Sequence, residues 1–233
     1  MRIGCSIILI NGYCYQSYNW KIIRPLGALN NILNFLDCYE VDEISITRPI
    51  RADNENTSYK SDIEIIKRSF SNSPMSFGGG IRNSHQLDYL KGLPIERFHF
   101  SNAFIHLKKG LIQKSINMFG RQAIVASLPL KIIEEVPYVF DGISGNFVYL
   151  NKEIFDFVNQ YADEIIIIDT DNEGLNDMFN FELLELSNFS INKIIISGGL
   201  GLKSIKKAKS KNIASCLIEN KVLHRENFIK REL

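Results

Sequence analysis

The sequence lacks most of the features that would assign it early. It has one tryptophan, six prolines, four cysteines and four histidines in 233 residues. Cys5, Cys14, Cys38 and Cys216 form no CxxC pair, which excludes a zinc ribbon or a thioredoxin-type redox motif and leaves reduced structural thiols. His85, His106 and His224 stand in polar helical or loop stretches, and no His/Cys/Asp/Glu cluster has metal-ligand spacing, so no metal and no cofactor is expected. No serine–histidine–carboxylate set is visible. The formal net charge is only +1, which gives no general reason to expect nucleic acid or an anionic membrane as partner. Lys203, Lys206, Lys207, Lys209 and Lys211 crowd one helical stretch and read as a solvated face. Long apolar runs are missing too. Met1–Ile10 resembles a signal core, but it is too short to span a bilayer and no small-residue cleavage site follows. It reads as a buried strand of a cytoplasmic protein.

What is present is repetition. Ser76-Phe77-Gly78-Gly79-Gly80-Ile81-Arg82 closes a short apolar run and precedes a helical pattern. Glycines at such a junction let the backbone approach a ligand. A similar junction returns as Ile194-Ile195-Ile196-Ser197-Gly198-Gly199, with Gly78 and Gly198 lying 120 residues apart. Asp42-Glu43-Ile44 returns as Asp163-Glu164-Ile165 at an offset of 121. Two matches in one order at nearly one offset indicate two similar halves.

Eight strand candidates follow: 2–10, 43–48, 74–78, 97–101, 123–128, 164–169, 193–197 and 215–218. Continuous apolar strands alternating with helices indicate a parallel sheet covered on both faces. Eight of them in two halves predict a (β/α)₈ TIM barrel, a single domain over 1–233. An open doubly wound sheet is weaker, because no GxGxxG follows strand one. Two long segments, Arg51–Ser61 and Lys131–Asn151, follow the carboxyl ends of strands two and five, where a barrel carries its active-site loops.

The ordered set Arg2-Ile3, Asp42-Glu43-Ile44, Phe77-Gly78-Gly79-Gly80-Ile81-Arg82, Ser101-Asn102-Ala103, Gln122-Ala123-Ile124-Val125, Asp163-Glu164-Ile165, Asp171-Asn172-Glu173-Gly174 and Ser197-Gly198-Gly199 resembles the cyclase subunit of imidazole glycerol phosphate synthase. Its half-barrel relative is the phosphoribosyl-formimino carboxamide ribotide isomerase. The resemblance covers essentially the whole chain. It implies a (β/α)₈ barrel with a twofold-repeated phosphate grip. It also implies a glutaminase partner at the amino-terminal face, with ammonia crossing the barrel interior. The family's two catalytic aspartates, at the ends of strands one and five, fall on Ile8 and Pro129, which exchange no proton. Asp171 and Glu173 remain as catalytic candidates.

By the same resemblance, Gly79, Gly80, Ser101 and Asn102 form the first anion grip. Gly198 and Gly199 belong to the second, where Glu219-Asn220 replaces small residues. A carboxylate beside a phosphate is repulsive by several kcal/mol when both are desolvated. Unless Lys221 or a metal compensates, the second grip is expected to refuse phosphate. Arg48 and Arg51 stand after strand two, either to hold an anion or as plain loop charges. Arg2, Glu43, Arg97 and Glu164 fall on the charged ring that gates ammonia in the cyclase, and a purely structural ring is the alternative. Period-two parity then turns Gly4, Ser6, Ser45, Thr47, His99, Ser101, Ala123 and Ser127 inward, a small and polar interior.

Three functions are compatible with this. A cyclase-like subunit would take ammonia from a glutaminase to aminate or amidate a phosphate- or sugar-bearing substrate, as relatives in surface-sugar amidation pathways imply. A non-catalytic barrel would bind or scaffold. A divergent histidine-biosynthesis cyclase is opposed by Ile8 and Pro129.

Overall fold

The computed structural model describes residues 1–20, 22–49 and 57–219. Eight parallel strands close a barrel: β1 (Arg2–Ile10), β4 (Ile44–Thr47), β5 (Met75–Gly78), β6 (Arg97–Phe100), β7 (Ile124–Ile133), β10 (Glu164–Asp169), β11 (Ile194–Ser197) and β12 (Ser215–Glu219). Each pairs with the next, β7 pairs β10, and β12 returns to β1 with Arg2 opposite Ser215. The closed (β/α)₈ barrel predicted from the apolar runs is the fold. All eight strands were legible because both strand faces are buried. Ile165–Ile167 and Ile194–Ile196 are apolar at every position for that reason.

The surrounding helices are α1 (Leu29–Cys38), α2 (Thr57–Lys67), α3 (Ser84–Leu90), α4 (Asn102–Ile105), α5 (Lys109–Phe119), α6 (Lys152–Tyr161), α7 (Glu182–Ser187) and α8 (Leu202–Ser210). In α1 the buried side chains are Leu29, Ile32, Leu33 and Leu36, the i, i+3, i+4, i+7 stripe of a helix lying on a sheet. Burial of each such side chain stabilises by about 1.5–3 kcal/mol. Asn83 starts α3 with a reciprocal capping box to Gln86, and Asn151 starts α6 by accepting from the Ile154 N–H at 2.9 Å. Most of the apolar core lies between this helical layer and the barrel, and a small separate cluster sits inside it.

Two hairpins stand on the carboxyl-terminal rim, one in each half. β1 overruns the barrel and pairs antiparallel with β2 (Tyr13–Tyr18), which pairs with β3 (Ile22–Ala28). β7 overruns likewise and pairs with β8 (Val136–Asp141), followed by β9 (Asn146–Tyr149). The Lys131–Asn151 segment, which the sequence placed among the active-site loops, is mostly strand. The first hairpin was not anticipated at all, although its signal is present. Asn11 and Gly12, at φ 51° and 78°, form the two-residue turn that asparagine–glycine favours. Of the other long segment, Arg51–Ser61, Thr57 onward is helix, and Arg51 lies outside the described residues.

Candidate functional site

The carboxyl ends of β4, β5, β6 and β7 enclose a cavity of about 110 Å³. Its floor includes Thr47, His99 and Ser127, and Pro129 and Ile168 form its inner rim. Gly79, Gly80, Ser101 and Asn102 bound it on one side with Arg48 and Arg82. Trp20 from the first hairpin and Phe140 from the second form the outer wall and meet edge-to-face at 5.6 Å between ring centroids. Arg48 is buried and fixed. Its Nε donates to Asp62 at 2.6 Å, and its guanidinium lies over the Tyr59 ring at 5.3 Å. Asp62 also accepts from the Gly12 N–H at 2.6 Å, so one carboxylate ties this arginine to the first hairpin turn. The set is basic, donor-rich and aromatic, which suits an anionic group attached to a ring or chain.

Asn102 is oriented from outside the cavity. Its amide donates to Asp141, which also accepts from the Ile143 N–H at 2.9 Å and the Ser144 N–H at 3.3 Å and faces His106 Nε2 at 3.2 Å. Burial alone would raise the Asp141 pKa, but these bonds hold it below the usual carboxylate range. Sequence reasoning missed Asp141, Trp20 and Phe140 because none belongs to a repeated motif. Trp20 follows the Asn11-Gly12 signal, and Asp141 precedes a glycine-bounded turn, which were the available cues.

The twofold repeat is visible in the backbone, one residue away from the sequence register. Gly79 and Gly198 both take positive φ, 101° and 90°. A Cβ at Gly79 would sit 1.9 Å from the Arg48 carbonyl oxygen, and one at Gly198 would sit 2.5 Å from that of Asp169. Gly80 and Gly199 follow at φ 77° and 70°. The matching pair is thus Gly79 with Gly198, not Gly78 with Gly198. Glycine is required where a neighbouring strand's backbone passes this close.

The halves then diverge. In the second, Glu219 is buried, and its carboxylate accepts from the Gly174 N–H at 2.7 Å and the Gly199 N–H at 3.3 Å. Asp177 accepts from the Lys203 and Ser204 N–H groups at 2.8 and 3.0 Å, and from the Ser204 hydroxyl at 3.2 Å. Gly198, Gly199 and Glu219 do not line the cavity. Asn220 and Lys221 lie outside the described residues.

Asp171 and Glu173 are not brought to the cavity either. Asp171 is exposed on the loop after β10. Glu173 is buried under the first hairpin, where it accepts from the Ser17 hydroxyl at 3.2 Å and the Trp20 N–H at 3.0 Å. The loop is organised by Asp169, which accepts from the N–H groups of Asp171, Asn172 and Asn180. Burial raises the Asp169 pKa against those bonds. His106 is tied to Asp141, His85 touches Tyr89, and His224 lies outside the described residues.

At the opposite face Arg2, Glu43, Arg97 and Glu164 close a four-membered ring. Arg2 reaches Glu43 at 3.2 Å and Glu164 at 2.6 Å, and Arg97 bonds both glutamates in turn. The Ser215 hydroxyl also donates to Glu43. Above the ring the interior is split, which corrects the expectation of a generally small and polar lumen. Val125, Ile166, Ile195 and Leu217 pack as an apolar cluster with Ile168. They share the inward parity of the ring, so that side is as branched and apolar as an ordinary barrel core. Gly4, Ser45 and His99 take the other side, with the Ser45 hydroxyl 3.3 Å from His99 Nε2. His99 is fully buried. Its pKa is lowered to about 4, chiefly by burial; a bond to the Ile46 backbone opposes this, and the nearby Arg97 charge adds to it. The ring is therefore neutral near pH 7.

Among the described residues, no group of three or more His, Cys, Asp or Glu side chains could hold a metal ion, and no helix is long and apolar enough to cross a membrane.

Residues 32–229 match the model of a family described as histidine biosynthesis protein. The chain is 26% identical, over 87% of its length and 81% of the relative's, to a Campylobacter jejuni protein assigned as an imidazole glycerol phosphate synthase subunit. It is 28% identical to the imidazole glycerol phosphate synthase subunit HisF of Sulfurisphaera tokodaii, over 86% of this chain and 81% of that one. It is 25% identical to the 1-(5-phosphoribosyl)-5-((5-phosphoribosylamino)methylideneamino) imidazole-4-carboxamide isomerase of Buchnera aphidicola, over 95% and 93% of the two chains.

Proposed function

The chain belongs to the histidine biosynthesis protein family, and from that premise we propose that it is a cyclase-like subunit redirected to ammonia delivery. A glutaminase-type partner would dock on the amino-terminal face around Arg2, Glu43, Arg97 and Glu164. Ammonia would pass the ring, cross the interior and meet a phosphate- or sugar-bearing substrate, of the surface-sugar amidation class, in the cavity. Gly79, Gly80, Ser101, Asn102 and Arg48 would hold the anionic group of that substrate.

One observation carries this reading. The polar side of the interior, Gly4, Ser45 and His99, runs from the ionic ring to the cavity floor, where His99 is itself a wall. A neutral His99 leaves that side without fixed charge above the ring. Ammonia can travel there unprotonated, while the apolar cluster opposite offers it no hydrogen bond. Two of the relatives are named as subunits of a synthase, which supports a partner in general.

Among the described residues, no carboxylate lines the cavity. The chain's own contribution is therefore binding and delivery rather than acid–base work. The same fact favours a second reading, a barrel that binds an anionic ligand and scaffolds a partner without turnover.

The test is recovery of the tagged chain from its native lysate, followed by assay with amide-labelled glutamine. A co-purifying glutaminase that is stimulated by the chain, with label reaching an acceptor, supports delivery. Stable binding of phosphate with no glutaminase recovered overturns it in favour of the binding reading.

A further inference from the structure

We infer that the second half-barrel's anion site is filled by the protein's own carboxylate, Glu219, so that the ligand of this barrel carries one anionic group and not two. This rests on the reading of the cavity as an anion site. The relation between the halves carries it.

Gly79-Gly80 and Gly198-Gly199 have the same pair of positive φ angles and the same close approach to a neighbouring strand. Two halves with one backbone should present one set of inward N–H donors each. In the first half those glycines border an open cavity. In the second, Glu219 places one carboxylate oxygen on the Gly199 N–H and the other on the Gly174 N–H. A carboxylate accepting two backbone N–H groups does the work a bound phosphate oxygen would do there. Asp177 occupies the next donors along, at Lys203 and Ser204. A second phosphate would have to displace one buried carboxylate and lie beside another, with like charges at close range.

The space agrees. A cavity of about 110 Å³ is well under the roughly 300–1,000 Å³ of a typical small-molecule pocket. The related isomerase is named for a compound with two phosphoribosyl groups, whereas the one glycine grip that borders this cavity is Gly79-Gly80 of the first half. The class assigned is a single phosphomonoester or comparable anion on a ring that packs against Trp20 and Phe140. Glu219 is the residue that sets this specificity.

Binding of inorganic phosphate, ribose 5-phosphate and ribulose 1,5-bisphosphate to the full chain tests the assignment. Calorimetry gives the number of sites, and a crystal soaked in phosphate gives their position. The wild type should take one phosphate, at Gly80, Ser101 and Asn102, and should bind the bisphosphate no more tightly than the monophosphate. Glu219→Ser should open a second phosphate site at Gly199 and favour the bisphosphate by at least about tenfold, roughly 1.4 kcal/mol. Glu219→Gln keeps the shape and removes the charge. It serves if the serine variant does not fold, and it should show the same shift with smaller size. Two phosphates on the wild type, or no gain of a second site in either variant, overturns the inference. No phosphate at the first grip would instead sink the cavity reading on which it rests. None of these outcomes depends on a partner or on turnover.

Discussion

The Trp20 backbone N–H donates to the Glu173 carboxylate at 3.0 Å, across 153 positions of sequence. Ser17 donates to the same oxygen, and the Asn19 N–H donates to the Glu173 carbonyl at 3.0 Å. Glu173 thus clasps the hairpin that carries the cavity's outer wall, and its carboxylate is already committed to that task. A buried carboxylate accepting such bonds contributes about 1.5–3 kcal/mol locally.

Glu173→Ala is therefore expected to loosen the first hairpin without unfolding the barrel. Trp20 is the only tryptophan, so its fluorescence reports the change directly. Emission should shift to the red, and affinity for inorganic phosphate should fall several-fold. Glu173→Gln should be milder on both counts. Were Glu173 instead a proton-transfer group, Gln substitution would abolish turnover and leave the Trp20 emission unchanged.

The ends of β1 and β7 predict a missing activity. Ile8 stands opposite Thr47 in the barrel register, and Pro129 borders the cavity opposite Ile168. Neither exchanges a proton, and among the described residues no carboxylate lines the cavity to substitute. General acid–base catalysis contributes about 10²–10⁴ in rate. Purified chain given the cyclase's histidine-pathway substrate with ammonium salt should turn over at least about a hundredfold more slowly than an ordinary cyclase. Turnover of ordinary size would show that the chemistry is carried by groups elsewhere.

How far the sequence could be read depended on which force decided each feature. Strands buried on both faces write themselves as unbroken apolar runs, so all eight were legible. The hairpins depended on one turn, Asn11-Gly12, set against an apolar background that drew attention to the barrel instead. The resemblance put Arg2, Glu43, Arg97 and Glu164 on one ring, and parity carried that inward register along the strands. It said nothing of Val125, Ile166, Ile195 and Leu217 until strand register placed them at one level. Glu219 could be recognised as out of place because the resembling family carries small residues there. That its two oxygens would bond Gly174 and Gly199 depends on two loops meeting in space. Asp171 and Glu173 were catalytic candidates because they match the later acidic pair of the resembling family, whereas burial and the hairpin separate their surroundings.

His99 predicts a pH dependence of stability. Burial, the first cause, lowers its pKa from 6.5 to about 4 in the folded protein. Between those values the unfolded chain holds a proton that the folded chain does not. Stability from this group is complete above about pH 6.5 and is lost as pH falls toward 4. The full loss is about 3 kcal/mol at one pKa unit per 1.36 kcal/mol. Urea unfolding at about pH 7 and about pH 4.5 should show most of it in the wild type. His99→Asn, whatever its stability at neutral pH, should lose much less between the two conditions. Equal slopes for both chains would place the acid sensitivity in other groups.

Arg97 distinguishes a gate from a brace. In the closed ring each glutamate bonds both arginines. Arg97→Ala opens the ring but leaves Glu43 with Arg2 and Ser215, and leaves Glu164 with Arg2 at 2.6 Å. No buried carboxylate is stranded, so the expected cost is about 1–2 kcal/mol, below the 3–5 kcal/mol of breaking a buried pair outright. Glu43→Ala is different. Glu43 is almost fully buried, and its loss sets two guanidiniums against one carboxylate and leaves the Ser215 hydroxyl only the Arg2 carbonyl at 3.3 Å. It should cost about 3 kcal/mol or more. Thermal melts of the isolated chain give this order. The functional reading adds a second axis. With a glutaminase partner present, Arg97→Ala should lower the share of glutamine-derived nitrogen reaching the acceptor at least several-fold, while free ammonium still supports the reaction. If Arg97→Ala instead costs as much as Glu43→Ala and transfer from glutamine stays coupled, the ring is a brace for the barrel floor and ammonia does not enter there.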